Sequence, residues 1–285
     1  MLSILIPTYN YNIHPLVEEL YQQAIDCSVE FEIIIIDDAS SDIKFNPKDL
    51  LKLKDVKLEL LNKNIGRSAI RNLLAKKATF ENLLFVDAGT FPKSKNFISS
   101  YLNYDGENVV IGGMTPQEGR PKKPYILRWL YTKKRESSKK RHVYTTANFL
   151  IKKSILLSHP FNESIKTYGY EDLLFFKLLK HHKFSIMFIN NPVVHDCSED
   201  AETFIKKTED GLKNLWYLNQ NYTHLLRDNS IVSAYKTLSN CHIIGIYKKA
   251  FKLTKPLLRK NLCSSYPSLI IFDLYKLGYF CNLKL

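Results

Sequence analysis

Leu83-Leu84-Phe85-Val86-Asp87-Ala88-Gly89-Thr90 is the stretch on which the reading of this chain turns. Its four apolar residues are too few for a helix and rich in β-formers, so they predict a buried strand. The strand ends on a carboxylate and then on small, turn-permissive residues. Ligands of open α/β sheets bind outside the carboxyl ends of the strands, which sets Asp87 where a ligand sits. A turn aspartate bonded to its own backbone accounts for the same residue. Recurrence favours the first reading. Ser3-Ile4-Leu5-Ile6 runs into Pro7-Thr8-Tyr9-Asn10, and Phe31-Glu32-Ile33-Ile34-Ile35-Ile36 runs into Asp37-Asp38-Ala39-Ser40-Ser41-Asp42. The isoleucine run fits a strand covered on both faces, as in a parallel sheet.

Between these strands the spacing becomes helical. Leu16, Leu20, Ala24 and Cys27 mark a helix over 14–27, and a short strand over Lys57–Leu61 leads through Asn64-Ile65-Gly66-Arg67 into a helix over 67–79. This alternation over 1–90 predicts a doubly wound α/β layer with three polar strand ends at one edge. The order then changes. A helix near 93–103 precedes a strand over Val109–Ile111 that ends on Gly112-Gly113. A Pro-, Lys- and Arg-rich stretch over 114–143 holds one helix around Trp129, and a strand runs from Thr145 to Ile151. A helix over 169–182, a last strand over Ser185–Ile189 and an amphipathic helix over 199–220 complete this part. No internal repeat is visible.

The composition of the 285 residues, 45% hydrophobic and 24% charged, is that of a globular protein with room for a large core. Five cysteines without CxxC spacing predict a reducing compartment rather than a disulfide framework or a zinc site. Met1–Ile6 lacks a basic n-region and is interrupted by Pro7, so no targeting signal is expected. No apolar run is long enough for a transmembrane helix. These features predict a cytoplasmic protein. The net charge of +13 is concentrated in residues 120–141 (+9) and 227–285 (+8), leaving −4 elsewhere. Two such patches predict two contacts with anions. Nucleic acid is not an expected partner, because no nucleic-acid motif accompanies the charge.

Six motifs in order carry a family resemblance: Ile6-Pro7-Thr8-Tyr9-Asn10; Asp37-Asp38-Ala39-Ser40-Ser41-Asp42; Asn64-Ile65-Gly66-Arg67 with Arg71-Asn72; Phe85-Val86-Asp87-Ala88-Gly89; Tyr168-Gly169-Tyr170-Glu171-Asp172; and His195. Over residues 1–220 the chain resembles bacterial family 2 glycosyltransferases of the GT-A fold, of the kind that builds surface polysaccharides. The resemblance implies a Rossmann-like, mostly parallel central sheet flanked by helices. It divides the chain into a catalytic domain over 1–220 (a nucleotide-binding half over 1–92, an acceptor half over 93–220) and a basic, aromatic helical extension over 221–285.

It further implies an inverting transfer of a hexose or N-acetylhexosamine from a UDP-sugar to a hydroxyl of a growing glycan; an acceptor on a polyprenyl-diphosphate carrier at the inner face of a bacterial membrane would fit if the basic C-terminal region lies on lipid. Pro7, Thr8, Asn10 and Asp38 would form the uridine pocket, Asp38 accepting the uracil imide N–H. Arg67 and Arg71 share a helix face near its N-terminus and suit a base or diphosphate; Arg71 is the favoured contact. Asp87 would meet the ribose. Family members carry Asp-X-Asp here, the last carboxylate holding Mg²⁺ or Mn²⁺, and this chain has Gly89 in its place. Asp87 with His195 is the remaining metal pair, and metal dependence stays open. Without metal, the basic stretch 120–141 is the expected source of compensating charge. Asp172 is the expected general base and Glu171 an acceptor or sugar contact, with the reverse assignment open. Donor choice would rest on residues 112–115 and 145–149. The departure at Gly89 leaves a second reading, a non-catalytic sugar-nucleotide or glycan binder. Tyr247–Leu253 and Leu269–Phe272 are amphipathic with cationic flanks, suited either to anionic lipid or to packing on the protein.

Overall fold

Leu2, Ile4, Leu5 and Ile6 are fully buried because β1 (Leu2–Thr8) lies inside a sheet covered on both faces. The computed structural model describes residues 1–137 and 143–283, which form two compact units. One comprises Met1–Gln117, Glu136–Lys166 and Glu171–Asp196; the other comprises Glu118–Arg135, Thr167–Tyr170 and Cys197–Leu285.

In the first unit, α1 (His14–Asp26) buries Leu16, Val17, Leu20 and Ala24 and returns the chain to β2 (Phe31–Asp37). β2 pairs in parallel with β1, Thr8 opposite Asp37. A single turn, α2 (Pro47–Leu50), precedes β3 (Val56–Leu60), parallel to β2 at the sheet edge. After α3 (Arg67–Lys77), β4 (Asn82–Val86) pairs in parallel with the other side of β1, Leu5 opposite Phe85. The carboxyl ends of β1, β2 and β4 thus share one edge, as the alternation predicts.

β5 (Thr90–Pro92), α4 (Phe97–Leu102), β6 (Val109–Ile111) and β7 (Met114–Pro116) follow; α5 (Ile126–Tyr131) belongs to the second unit. β8 (Asn148–Lys152) enters between β4 and β6, antiparallel to both. α6 (Lys153–Ser158) and α7 (Glu171–His181) lead to β9 (Ile186–Phe188), which pairs in parallel with β6. The sheet order is β3-β2-β1-β4-β8-β6-β9. β9 is not the last strand, contrary to expectation. β10 (Val193–His195) pairs between β5 and β7 in a three-stranded sheet. Three residues after Pro192 carry no periodicity, and the flanking strands supply the order. β5 also delays the helix expected near 93 to Phe97. Gly112 is required by crowding: a Cβ there would lie 2.3 Å from Tyr101 Oη and 2.5 Å from the Asn191 carbonyl.

The second unit adds α8 (Ala201–Asn221), α9 (Ser230–Asn240), α10 (Ile244–Leu262) and α11 (Leu269–Asn282). Phe204 and Ile205 of α8 are buried with Leu127 of α5 and with Phe272 and Tyr275 of α11. α8, expected to close the first domain, therefore folds with the C-terminal helices. Phe251 of α10 packs against Gly278 of α11, where a Cβ would fall 2.1 Å from its ring. Among the described residues no helix is long and apolar enough to cross a membrane.

Candidate active site

The ends of β1 and β2 are tied together by short polar bonds. The Thr8 carbonyl accepts the Asp38 N–H at 2.9 Å, and the buried Thr8 Oγ1 has no partner among the described residues. Pro7, one residue before, pairs with Ile36. Asn10 adopts a left-handed φ of 52°. Its N–H donates to Ser40 Oγ at 2.6 Å, and its side-chain oxygen accepts the Asp42 N–H at 3.2 Å. Asp37 turns back on its own loop, accepting the Ser40 N–H at 2.7 Å. Asp38 reaches the next loop instead. Its two oxygens accept the N–H groups of Ile65 at 2.7 Å and Gly66 at 3.0 Å. Gly66, at φ +86°, makes the turn into α3 that a side chain would strain. Asp38 thus holds the entry to the helix carrying both arginines, and each oxygen keeps a lone pair for another donor.

Arg67 and Arg71 stand one turn apart on α3. Arg71 is 2% exposed. Its Nη2 donates to Asp87 Oδ1 at 2.8 Å, its guanidinium lies 5.7 Å from the Phe161 ring centre, and its Nε has no partner among the described residues. The more exposed Arg67 lies 3.6 Å from the buried carboxylate of Glu171. Glu171 and Asp172 open α7, where a carboxylate complements the helix dipole. Asp172 accepts the Leu173 N–H at 2.7 Å. Burial first, and then the charge of Glu171, push its carboxyl up to about 7, against the pull of the Leu173 N–H, Arg71 and Arg67. The structure therefore brings Arg67, Arg71, Asp87, Glu171 and Asp172 from α3, β4 and α7 into one electrostatic cluster. A carboxyl titrating near neutrality beside two guanidiniums is equipped to exchange a proton where negative charge is held.

His195 ends β10 opposite Thr90. Beside it, the Asp196 N–H donates to the Gly89 carbonyl at 3.1 Å, and the Asp196 carboxylate accepts the Tyr11 hydroxyl at 2.7 Å. Burial and the Asp196 carboxylate push the Tyr11 phenol up, keeping it a donor. Tyr11 and Asp196 thus flank the position where the family carries its last carboxylate, and sequence reasoning passed over both. The His195-Asp196 doublet at a strand end was the available signal. For a divalent ion the chain offers Asp87 and His195 but not the last Asp-X-Asp carboxylate, Gly89 standing in its place. Among the described residues no three His, Cys, Asp or Glu side chains converge on a metal position, and Asp87 is already paired with Arg71.

The Ala147 carbonyl accepts the Asp87 N–H at 2.9 Å, so the stretch entering β8 lies beside the end of β4, where donor selection was expected. Of the basic stretch 120–141, Arg120, Lys133 and Arg135 engage Tyr266, Trp129 and Asp273 within the second unit. Residues 138–142 lie outside the described residues. The cations found beside Asp87 and Glu171 are Arg71 and Arg67.

Residues 3–160 match the family described as Glycosyl transferase family 2. The chain belongs to this family. An uncharacterized glycosyltransferase of Rickettsia felis is 32% identical over 119 residues, covering 37% of this family 2 chain and 19% of the relative. The chain thus spans about a fifth of the length of the curated relative it matches. Among solved structures, the mannosyltransferase PcManGT from Pyrobaculum calidifontis, in complex with GDP-Man and Mn²⁺, superposes with a TM-score of 0.59 at 12% identity, over 97% of this chain and 85% of that one. S. aureus TarS 1–349, in complex with UDP-GlcNAc, gives 0.52 at 17% identity, over 98% and 89%. At these identities the likeness is one of fold. The family 2 chain has the GT-A architecture that its motifs imply, with a helical C-terminal region.

Proposed function

We propose that the chain transfers a hexose or N-acetylhexosamine from a UDP-sugar to a hydroxyl of a growing glycan, with inversion at the anomeric carbon. The observation that carries this reading is the cluster of Asp172, Glu171, Arg71, Arg67 and Asp87 at the carboxyl edge of the sheet. Asp172 takes the proton of the acceptor hydroxyl as its oxygen bonds to C1 of the sugar. The bond from C1 to the diphosphate oxygen breaks, and UDP leaves with the electron pair. One displacement inverts the centre, and no protein nucleophile is needed. A carboxyl titrating near 7 suits this role, since a base is most effective with a pKa near the working pH. Glu171, held near Arg67, contacts the sugar or acceptor.

Arg71 and Arg67 oppose the charge of the leaving diphosphate, and the unpartnered Arg71 Nε is a donor in reserve. Asp87 contacts the ribose. Pro7, Thr8, Asn10 and Asp38 form the uracil pocket, supported by the buried, unpartnered Thr8 Oγ1 and the spare lone pairs on Asp38. In this reading Arg71 and Arg67 meet the diphosphate, and no step is routed through metal. Mn²⁺ in the PcManGT complex belongs to that protein. A polyprenyl-diphosphate-linked acceptor would bring the reaction to the inner face of the cytoplasmic membrane.

The alternative, a non-catalytic nucleotide-sugar or glycan binder, is favoured by Gly89 and opposed by the raised Asp172. Calorimetric titration of UDP in Mn²⁺ and in EDTA, followed by measurement of UDP release from UDP-sugars, tests both. We expect UDP affinities within about threefold of each other, the diphosphate being met by arginine. Binding only with Mn²⁺ overturns the metal-free reading. Binding without any turnover of UDP-sugars in the presence of glycan acceptors favours the binder.

A further inference from the structure

α10 has two apolar faces, and the fold uses one. Phe251 and Leu262 are buried against α11 and its neighbours. Ile246, Leu253 and Leu257, spaced by seven and four, form a second stripe on the opposite side of the helix. They are 71%, 81% and 68% exposed. On α11, Ile270 and Leu274, one turn apart, are also exposed, as is Tyr266 in the turn between the two helices. Large aliphatic side chains standing this far into solvent in a row mark a contact surface.

The charge of the same helix says what kind. α10 carries six Lys and Arg residues and no carboxylate. Lys255 and Arg259 are paired with Glu209 and Glu202 of α8. Lys249, Lys252 and Lys260 are exposed and, among the described residues, have no carboxylate partner. They flank the aliphatic stripe. A second copy seated on this face would set these lysines against their symmetry mates, and like-charge juxtaposition opposes association. An anionic bilayer meets both features, taking aliphatic side chains into the acyl boundary and ammonium groups at the headgroups. Tyr266 and Pro267 of the same turn, with Arg120, Ile126, Trp129 and Leu130, also line an open, mostly apolar pocket of about 350 Å³.

We propose that the outer face of α10 and the exposed residues of α11 and their connecting turn dock the chain on an anionic lipid surface without crossing it. The inference does not rest on the donor, the acceptor or turnover, and its test reads none of them. The chain is floated with phosphatidylcholine vesicles with and without phosphatidylglycerol. Binding is expected only with phosphatidylglycerol, and it falls steeply toward ~1 M salt, where surface charge is screened. Leu253→Glu with Leu257→Glu should reduce binding at least about tenfold, by placing charge in the acyl boundary. These side chains are too exposed to support the fold, so the melting temperature should hold. If it falls, the exposed lysine triple Lys249→Ala, Lys252→Ala, Lys260→Ala decides, by weakening binding and flattening its salt dependence. No binding to phosphatidylglycerol vesicles, or equal binding by both sets of variants, overturns the proposal. A wild-type dimer that the two glutamates convert to monomer also overturns it, assigning the face to a second copy.

Discussion

Asp172→Asn separates the two consequences of one raised carboxyl. Burial and the neighbouring Glu171 move Asp172 from 3.8 to about 7. Below about pH 3 the group is protonated in both the folded and unfolded chains and contributes almost nothing to their difference. Above about pH 7 it is ionised in both, and the folded chain carries the full cost of holding the charge in place. Wild-type stability therefore falls, relative to a variant that cannot ionise, as pH rises from about 4 to 7. At about 1.4 kcal/mol per pH unit the ceiling is roughly 4 kcal/mol. The side chain is only partly buried, and relaxation around it brings the expected gain of the variant to roughly 1–3 kcal/mol. Asn keeps the oxygen that accepts the Leu173 N–H. For a chain of this size we expect the variant to melt about 2–10 °C higher at pH 8, with the gap shrinking as pH falls and closing near about pH 3. Loss of the base should lower transfer about 10²–10⁴-fold. Melting curves across pH, paired with a UDP-release assay, check both. A variant that melts at or below wild type at pH 8 refutes the electrostatic account, and one that transfers at the wild-type rate refutes the base.

Other substitutions test the rest of the site. Arg71→Ala leaves the Asp87 carboxylate without its guanidinium and should cost about 2–4 kcal/mol in denaturant unfolding; UDP affinity should fall at least about tenfold by calorimetry, and Arg71→Lys should restore little of it because an ammonium lacks the spread of donors with which a guanidinium meets Asp87 and still offers Nε. Asp38→Ala frees two backbone amides at Ile65 and Gly66, so hydrogen exchange of residues 64–67 should quicken and stability drop by about 2–3 kcal/mol. Gly112→Ala forces a methyl into Tyr101 and Asn191 and should cost about 3 kcal/mol, read from the urea midpoint.

The parallel half of the sheet was legible because its signals are local. A short apolar run closed by Asp87, Asp37 or Thr8 reports both burial and the strand end within eight residues. Asp87, Arg71, Glu171 and Asp172 were legible as candidates for the same reason. Their partnerships were not. Arg67 meets Glu171 only because α3 and α7 return to one edge, and a raised Asp172 depends on burial that no spacing encodes. Asp38 showed its carboxylate but not its hold on Ile65 and Gly66. β5 and β10 were invisible because three residues bounded by proline have no period, and each is a strand only through its partner. α8 was recognised as amphipathic, but nothing in its own sequence says that Phe204 and Ile205 meet α5 and α11. Phe251, Phe272, Tyr275 and Phe280 of the C-terminal region proved to be its interior, with Ile246, Leu253, Leu257 and Tyr266 outside.

The backbone passes between the two units five times, at residues 117–118, 135–136, 166–167, 170–171 and 196–197. The second unit is therefore not a tail that can be trimmed away. Cutting after Asp196 would strip α5 of the helices that bury Leu127 and leave 167–170 without Asn214, whose amide donates to the Gly169 carbonyl at 2.9 Å just ahead of Glu171. Ribosomal synthesis imposes the same condition, since α5 emerges well before the helices it packs on and must wait for them. Transplanting only the sheet-bearing segments into another protein would carry the arginines and Asp87 but leave two gaps in the chain, at 118–135 and 167–170. Recombination can exchange this molecule whole far more readily than in halves.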